Sequence, residues 1–191
     1  MGKVHPEIDT QLRAFIDSQQ MFFVATAPLE AEGHVNCSPK GLTSFRVLDS
    51  KTVAYLDFVA SGIETIAHVR QNGRIVIMFC AFEGPPQIVR LHGRGTIIEP
   101  TDGDFEPLLA QFAPQARLGL RAVVKVEVKR ISGSCGFGVP RFRFEGQRDQ
   151  LARWAAHKGT AGLEAYQREK NASSIDGLEG LLWPARTSTE E

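Results

Sequence analysis

The sequence carries no surplus of charge: 22 lysines and arginines stand against 22 aspartates and glutamates. No run of Lys or Arg marks a basic arm, so nucleic acid is not an expected partner. Long apolar runs are missing too. No stretch approaches the roughly 18 apolar residues that a membrane span needs, and residues 1–10 are polar and acid-bearing where a signal sequence would be apolar. The expectation is a cytoplasmic protein away from the membrane. Cysteine is scarce. Cys37, Cys80 and Cys135 are widely spaced, odd in number and form no C-x-x-C pair, which fits three reduced thiols in a reducing compartment. No base lies beside any of them to activate a nucleophile. Internal repeats are absent. What remains is an ordinary globular composition, 42% hydrophobic and 23% charged over 191 residues, enough for one domain with a sizeable core and a terminal extension.

Apolar periodicity supplies the elements. In residues 6–18, Ile8, Leu12, Phe15 and Ile16 make one helical stripe, and Pro6 suits a first turn. Residues 21–27, rich in aromatic and β-branched side chains, read as a buried strand. A second strand at 35–38 is stopped by Pro39 and Gly41, and a third spans 52–58. A short helix around 66–70 is closed by Asn72-Gly73. Strands follow at 74–82, 87–99 and 121–131. Gly93 and Gly95 inside the fifth imply a bulge or a close backbone approach. In the sixth, Val124, Val126 and Val128 alternate with Lys125, Glu127 and Lys129, which leaves one face wet. Helices are expected at 102–112, ended before Pro114, and near 148–157 and 161–170, with a polar tail after Pro184. Six strands at hairpin-like spacing with helices at both ends favour a barrel or sandwich over a doubly wound sheet.

Three local features could carry chemistry. Ser61-Gly62-Ile63-Glu64 has the S-x-x-E form of a capping box, with Ser61 as cap and Glu64 returning to its amide. Such a helix start is an anion site by its free amides and dipole. Gly62 would permit close approach and Thr65 would add a hydroxyl, although a plain capped helix has the same pattern. Asn36-Cys37-Ser38-Pro39-Lys40-Gly41 crowds polar groups at a strand end; Lys40 could neutralise a phosphate or be an ordinary turn lysine. Arg90 sits between Val89 and Leu91. An unpaired buried charge is costly, so Arg90 needs a carboxylate of the fold or a ligand's phosphate or carbonyl. No acid–base pair stands out. His68 is expected to be packed or solvated, His92 to face solvent, and Trp154 and Trp183 to pack.

The order of these motifs resembles one family. Residues 22–98 are similar to the pyridoxamine 5′-phosphate oxidase-like flavoproteins of the FMN-binding split-barrel superfamily. The match is carried by residues 35–41, by Val53-Ala54-Tyr55-Leu56-Asp57, by residues 61–68, by Asn72-Gly73-Arg74-Ile75 and by residues 88–93. The resemblance implies a mainly β fold, a six-stranded antiparallel split β-barrel over residues 1–140 with an N-terminal helix, and a C-terminal helical extension over 141–191. It implies a homodimer with FMN at the subunit interface and a small-molecule substrate. By the same resemblance Lys40 would meet the FMN phosphate, and Ser61, Gly62, Ile63, Glu64 and Thr65 would form the phosphate-contacting helix start. Asn36 and Ser38 would line the isoalloxazine, and Arg90 would border the ribityl chain or phosphate.

Departures from the family pattern matter. Glu64 and Thr65 stand where the true oxidase has an Arg-Lys pair. The arginine of its Arg-x-Val-Leu-Leu-Lys run is missing from residues 35–40, and its C-terminal Arg-Leu-x-Pro is missing from residues 181–185. FMN binding therefore follows from the resemblance better than vitamin B6 oxidation does. The expected function is an FMN-dependent oxidoreductase in which the flavin carries the redox chemistry. A non-catalytic flavin- or haem-binding module and a deazaflavin-dependent reductase are the alternatives, since fold does not fix function. Residues 133–140 and 170–177 are the candidates for shaping a substrate site.

Overall fold

The computed structural model describes residues 2–112 and 117–182. Among them, eight strands form one antiparallel sheet: β1 (Lys3–His5), β2 (Phe22–Thr26), β3 (Asn36–Lys40), β4 (Phe45–Val47), β5 (Thr52–Phe58), β6 (Arg74–Cys80), β7 (Ile88–Ile98) and β8 (Leu120–Ser134). Their order is β3-β2-β6-β7-β8-β5-β4, with β1 paired to β8. The sheet curls into the half-barrel of the split-barrel fold. Four helices flank it: α1 (Thr10–Ser18), α2 (Glu64–Asn72), α3 (Phe105–Leu109) and α4 (Gln150–Lys170). The six strands expected from periodicity are β2, β3 and β5 to β8; β1 and β4 are three-residue additions. Pro114, Trp183 and the tail after Pro184 lie outside the described residues.

The two sheet faces explain the burial pattern. Phe22, Val24, Tyr55, Ile77, Val89 and Leu91 point into the barrel, where Leu12 and Ile16 of α1 join them. Phe22 meets Phe45 and Tyr55 edge-on, with ring centroids 5.1 and 5.5 Å apart. On the other face of β5 and β8, Ala54, Leu56 and Val123 pack under Phe105, Leu109 and Phe112. A strand covered on both sides reads as a continuous apolar run, and Val53, Ala54, Tyr55 and Leu56 are all buried. The outward residues of β2 and β6 (Phe23, Ala25, Val76 and Met78) stay half-exposed.

Local departures have local causes. Helix α1 starts at Thr10, not near Pro6, because the Asp9 carboxylate accepts the Leu12 amide at 2.8 Å as N-cap. The residues before it pair with β8, His5 opposite Ile131. Strand β8 runs to Ser134, so the glycine-rich loop begins later than expected. The expected helix over 102–112 contracts to α3. Both C-terminal helices are present in α4, broken at Gly159, whose φ of 64° and ψ of 175° are not helical. Gly93 does mark a bulge: the β7–β8 register shifts between His92 and Gly93, and a Cβ there would collide with the Glu127 carbonyl oxygen. Gly95 is the close approach, with Val69 of α2 lying 3.1 Å from where its Cβ would stand.

Candidate functional site

Strand β3 is an edge strand whose polar residues alternate. Asn36, Ser38 and Lys40 pair with Thr26, Val24 and Phe22 and so share the inward face. The Asn36 amide donates to Thr65 Oγ1 at 2.9 Å and to Thr26 Oγ1 at 3.2 Å. The Ser38 hydroxyl donates to Asn36 Oδ1 at 3.0 Å. Thr26 Oγ1 lies 3.0 Å from Nδ1 of His68. His68 is fully buried, as packing predicts, and its Nε2 meets no hydrogen-bonding partner among the described residues. Burial lowers its pKa, so the imidazole is neutral at pH 7. A polar chain therefore runs from the open edge of β3 to the first turn of α2.

Lys40 has a second set of partners. Its ammonium donates to Asp57 Oδ1 at 2.7 Å, and Arg121 Nε donates to Asp57 Oδ2 at 2.6 Å. Arg121 also donates to Asn171 Oδ1 at 3.0 Å, and the Asn171 amide donates to the Ala60 carbonyl at 3.0 Å. Burial alone would raise the Asp57 pKa, but Arg121 and Lys40 outweigh it and bring the carboxyl down to about 2. Two cations on one carboxylate leave a net positive charge. Lys40 is the exposed member, with 21% of its side chain accessible against 3% for Arg121 and none for Asp57.

The capping box does not form. Ile63, not Ser61, is the N-cap of α2, and it makes no side-chain cap hydrogen bond. Ile63 is drawn into a cluster with Ile66, Ala122 and Leu181, which fixes the helix start two residues later than the sequence pattern suggests. Ser61 is exposed in the preceding loop. Glu64 curls back over Gly62 and accepts the Ile175 amide at 3.4 Å rather than the Ser61 amide. Ile175 belongs to a hairpin strap that follows α4 and is closed by Gly180 N to Ala172 O and Leu181 N to Asn171 O. The strap meets α2 at both ends and reaches the loop before β3: Ile175 contacts Glu64 in the first turn, Arg70 in the last turn donates to the Gly180 carbonyl, and Asp176 accepts both the backbone amide and the ring of His34.

The structure thus brings Asn36, Ser38 and Thr65 into one network, with Lys40 next on the same strand face. Ser61, Gly62, Ile63 and Glu64 form the loop and first residue of α2. Arg90 is elsewhere. Arg90 pairs with Met78, and Met78 with Phe23, so it projects from the opposite, outer face of the sheet. Sequence reasoning missed Asp57, Arg121 and Asn171. Asp57 was findable by the argument applied to Arg90, since it is a lone charge in the apolar strand Val53-Ala54-Tyr55-Leu56-Asp57-Phe58. A cleft of about 1000 Å³ opens beside Pro39, Lys40 and Gly41, walled by Phe15, Phe82 and residues 142–151. That volume is in the range of small-molecule sites.

The family model described as pyridoxamine 5′-phosphate oxidase matches residues 8–135. A pyridoxamine 5′-phosphate oxidase family protein of Aspergillus flavus, ustO, is 36% identical over 192 residues, covering 93% of this chain and 77% of its own. Among solved structures, a single-residue variant of HupZ from Group A Streptococcus is 25% identical with a TM-score of 0.51, covering 66% of this chain and 99% of that one. A Lactobacillus delbrueckii protein assigned as a pyridoxamine 5′-phosphate oxidase is similar in fold at 16% identity, with a TM-score of 0.52 over 68% of this chain and 98% of its own.

Proposed function

Because this chain belongs to the pyridoxamine 5′-phosphate oxidase family, we propose that it binds FMN and serves as an FMN-dependent oxidoreductase acting on a small molecule. The observation that carries this reading is the row of Asn36, Ser38 and Thr65, linked at 2.9 to 3.0 Å and set against the first turn of α2. Its amide and hydroxyl groups suit the donors and acceptors along the polar edge of an isoalloxazine. The phosphate would meet the exposed cation of the Lys40–Asp57–Arg121 cluster, at the end of β3 away from Asn36 and Thr65. Glu64, curled over Gly62, opposes an anion on that side of the loop, so the phosphate belongs on the Lys40 side. When bound, the flavin supplies hydride and electron transfer, and the chain binds it, orients it and tunes it.

The working unit in this reading is a homodimer with FMN at the subunit interface. The half-exposed outer residues Phe23, Val76 and Met78 support it, because they are apolar and lie side by side across β2 and β6. Residues 1–140 would form the flavin domain and 141–191 its C-terminal helical extension and tail. Free Cys37, Cys80 and Cys135 accord with a reducing, cytoplasmic setting. No helix among the described residues is long and apolar enough to cross a membrane.

The test is an absorbance spectrum of the purified protein between about 300 and 500 nm, repeated with added FMN. Two flavin bands, present at purification or shifted on addition, support the reading. A colourless protein that leaves the FMN spectrum unchanged overturns it.

A further inference from the structure

We propose that the first half of α4 closes a binding pocket for an aliphatic carboxylate, a molecule with an apolar chain and one anionic end. The pocket holds about 410 Å³ and lies where Leu151, Ala152, Ala155 and Ala156 face the end of β5 and the turn before β8. That volume is in the range of small-molecule sites. None of its walls belongs to β2 or β6, to the Asn36–Ser38–Thr65 row or to the Lys40–Asp57–Arg121 cluster, so the inference goes beyond flavin binding and does not depend on it. Positions 151 and 155, like 152 and 156, stack along one helix face. Alanine at three of the four leaves the space open, while Phe58, Val59 and Leu118 line the opposite side.

The chemistry of the walls selects the occupant. Only Thr43 and Gln147 bring polar side chains, and both are spent. The Thr43 hydroxyl donates to the Leu42 carbonyl at 2.6 Å. Gln147 Oε1 accepts the Leu42 amide at 3.1 Å, and its Nε2 donates to the Gln20 carbonyl at 3.2 Å. Water needs polar partners, and these side chains offer it none, so an apolar body fits better. Leu42 and Thr43 hold φ angles of 61° and 53°, a left-handed conformation that is strained for leucine and for β-branched threonine. Gln147 pins that strained pair against the residues before α4. The anionic end is set by the rim. Leu42, Gln147 and Leu151 also line the cleft beside Lys40, so the two spaces meet there. Arg148 stands on the cleft side of that junction. Among the described residues it pairs with no carboxylate, since its neighbour Asp149 is taken by Arg153 at 2.9 Å. Glu83, an acid on the cleft wall, accepts the Phe144 amide at 3.4 Å. A carboxylate on the Arg148 guanidinium would send its chain into the pocket.

Calorimetric titration of the protein as purified with hexanoate, octanoate and decanoate tests the pocket without any flavin readout. Affinity should rise about fourfold for each methylene added, which is the transfer free energy of a buried CH₂ converted to a ratio. Ala156→Phe, at an exposed helix position, should plug the pocket and flatten the series while the circular dichroism stays unchanged. Ala152→Phe, one turn earlier, serves as the plug if the first variant does not fold. Arg148→Gln should weaken octanoate about tenfold and leave octanol unaffected, as loss of one charge-assisted contact implies. Affinities that do not grow with chain length, a series equally steep in the plugged variant, or octanol bound as tightly as octanoate overturns the proposal.

Discussion

Asp57 is fully buried between Lys40 and Arg121, and Asp57→Asn would leave two cations facing a neutral amide. Breaking such a pair from one side costs roughly 3–5 kcal/mol, which chemical denaturation should read as a large fall in midpoint. The pH dependence follows from the sign of the shift. The carboxyl is lowered from 3.8 to about 2 in the folded state, so its stabilisation is complete above about pH 4 and disappears as pH falls toward 2, roughly 2 kcal/mol in all. The Asp57→Asn variant lacks that part of the acid transition. Asn36 is a different case, because it is half-exposed at a strand edge. Asn36→Ala removes its bonds to Thr26 and Thr65, and FMN affinity measured by fluorescence quenching should fall about tenfold with little change in thermal midpoint. Asn36, Ser38 and Thr65 were legible as a polar strand end and a helix start. Their supports were not, since Thr26 meets His68 across 42 positions and Arg121 meets Asn171 across 50, and no local pattern encodes such pairings.

Among the elements, the long strands were legible because their apolar runs are read by burial on one or both faces. Strands β1 and β4 were not. Lys-Val-His and Phe-Arg-Val are too short to show a period, and they exist because β8 and β5 offer them edges. The capping box failed for the opposite reason: a correct local signal was overruled when Ile63 packed into the core. Gly93 is the position where sequence and structure agree most closely, and it gives a sharp prediction. Gly93→Ala places a methyl against the Glu127 carbonyl, backbone that cannot turn aside, so the bulge must open. A loss of about 2–4 kcal/mol is expected by the scale of overpacking and strain, with increased hydrogen exchange across Ile88–Ile98.

At the scale of the molecule, the outward side chains of β2 and β6 stay half-exposed among the described residues. If that side joins two subunits, Met78→Glu should yield a monomer in light scattering and lose FMN with it, because a shared site cannot survive in one half. A Met78→Glu variant that stays dimeric and yellow would place the interface on another face. The pairing of β1 with β8 has a consequence in time. His5 finds its partner at Ile131, so the sheet cannot complete its eighth strand until more than a hundred further residues have left the ribosome. Contacts of such long sequence separation close late and slowly. For most of its synthesis the nascent chain carries an unpaired strand edge, and chaperone capture during translation should act on that interval.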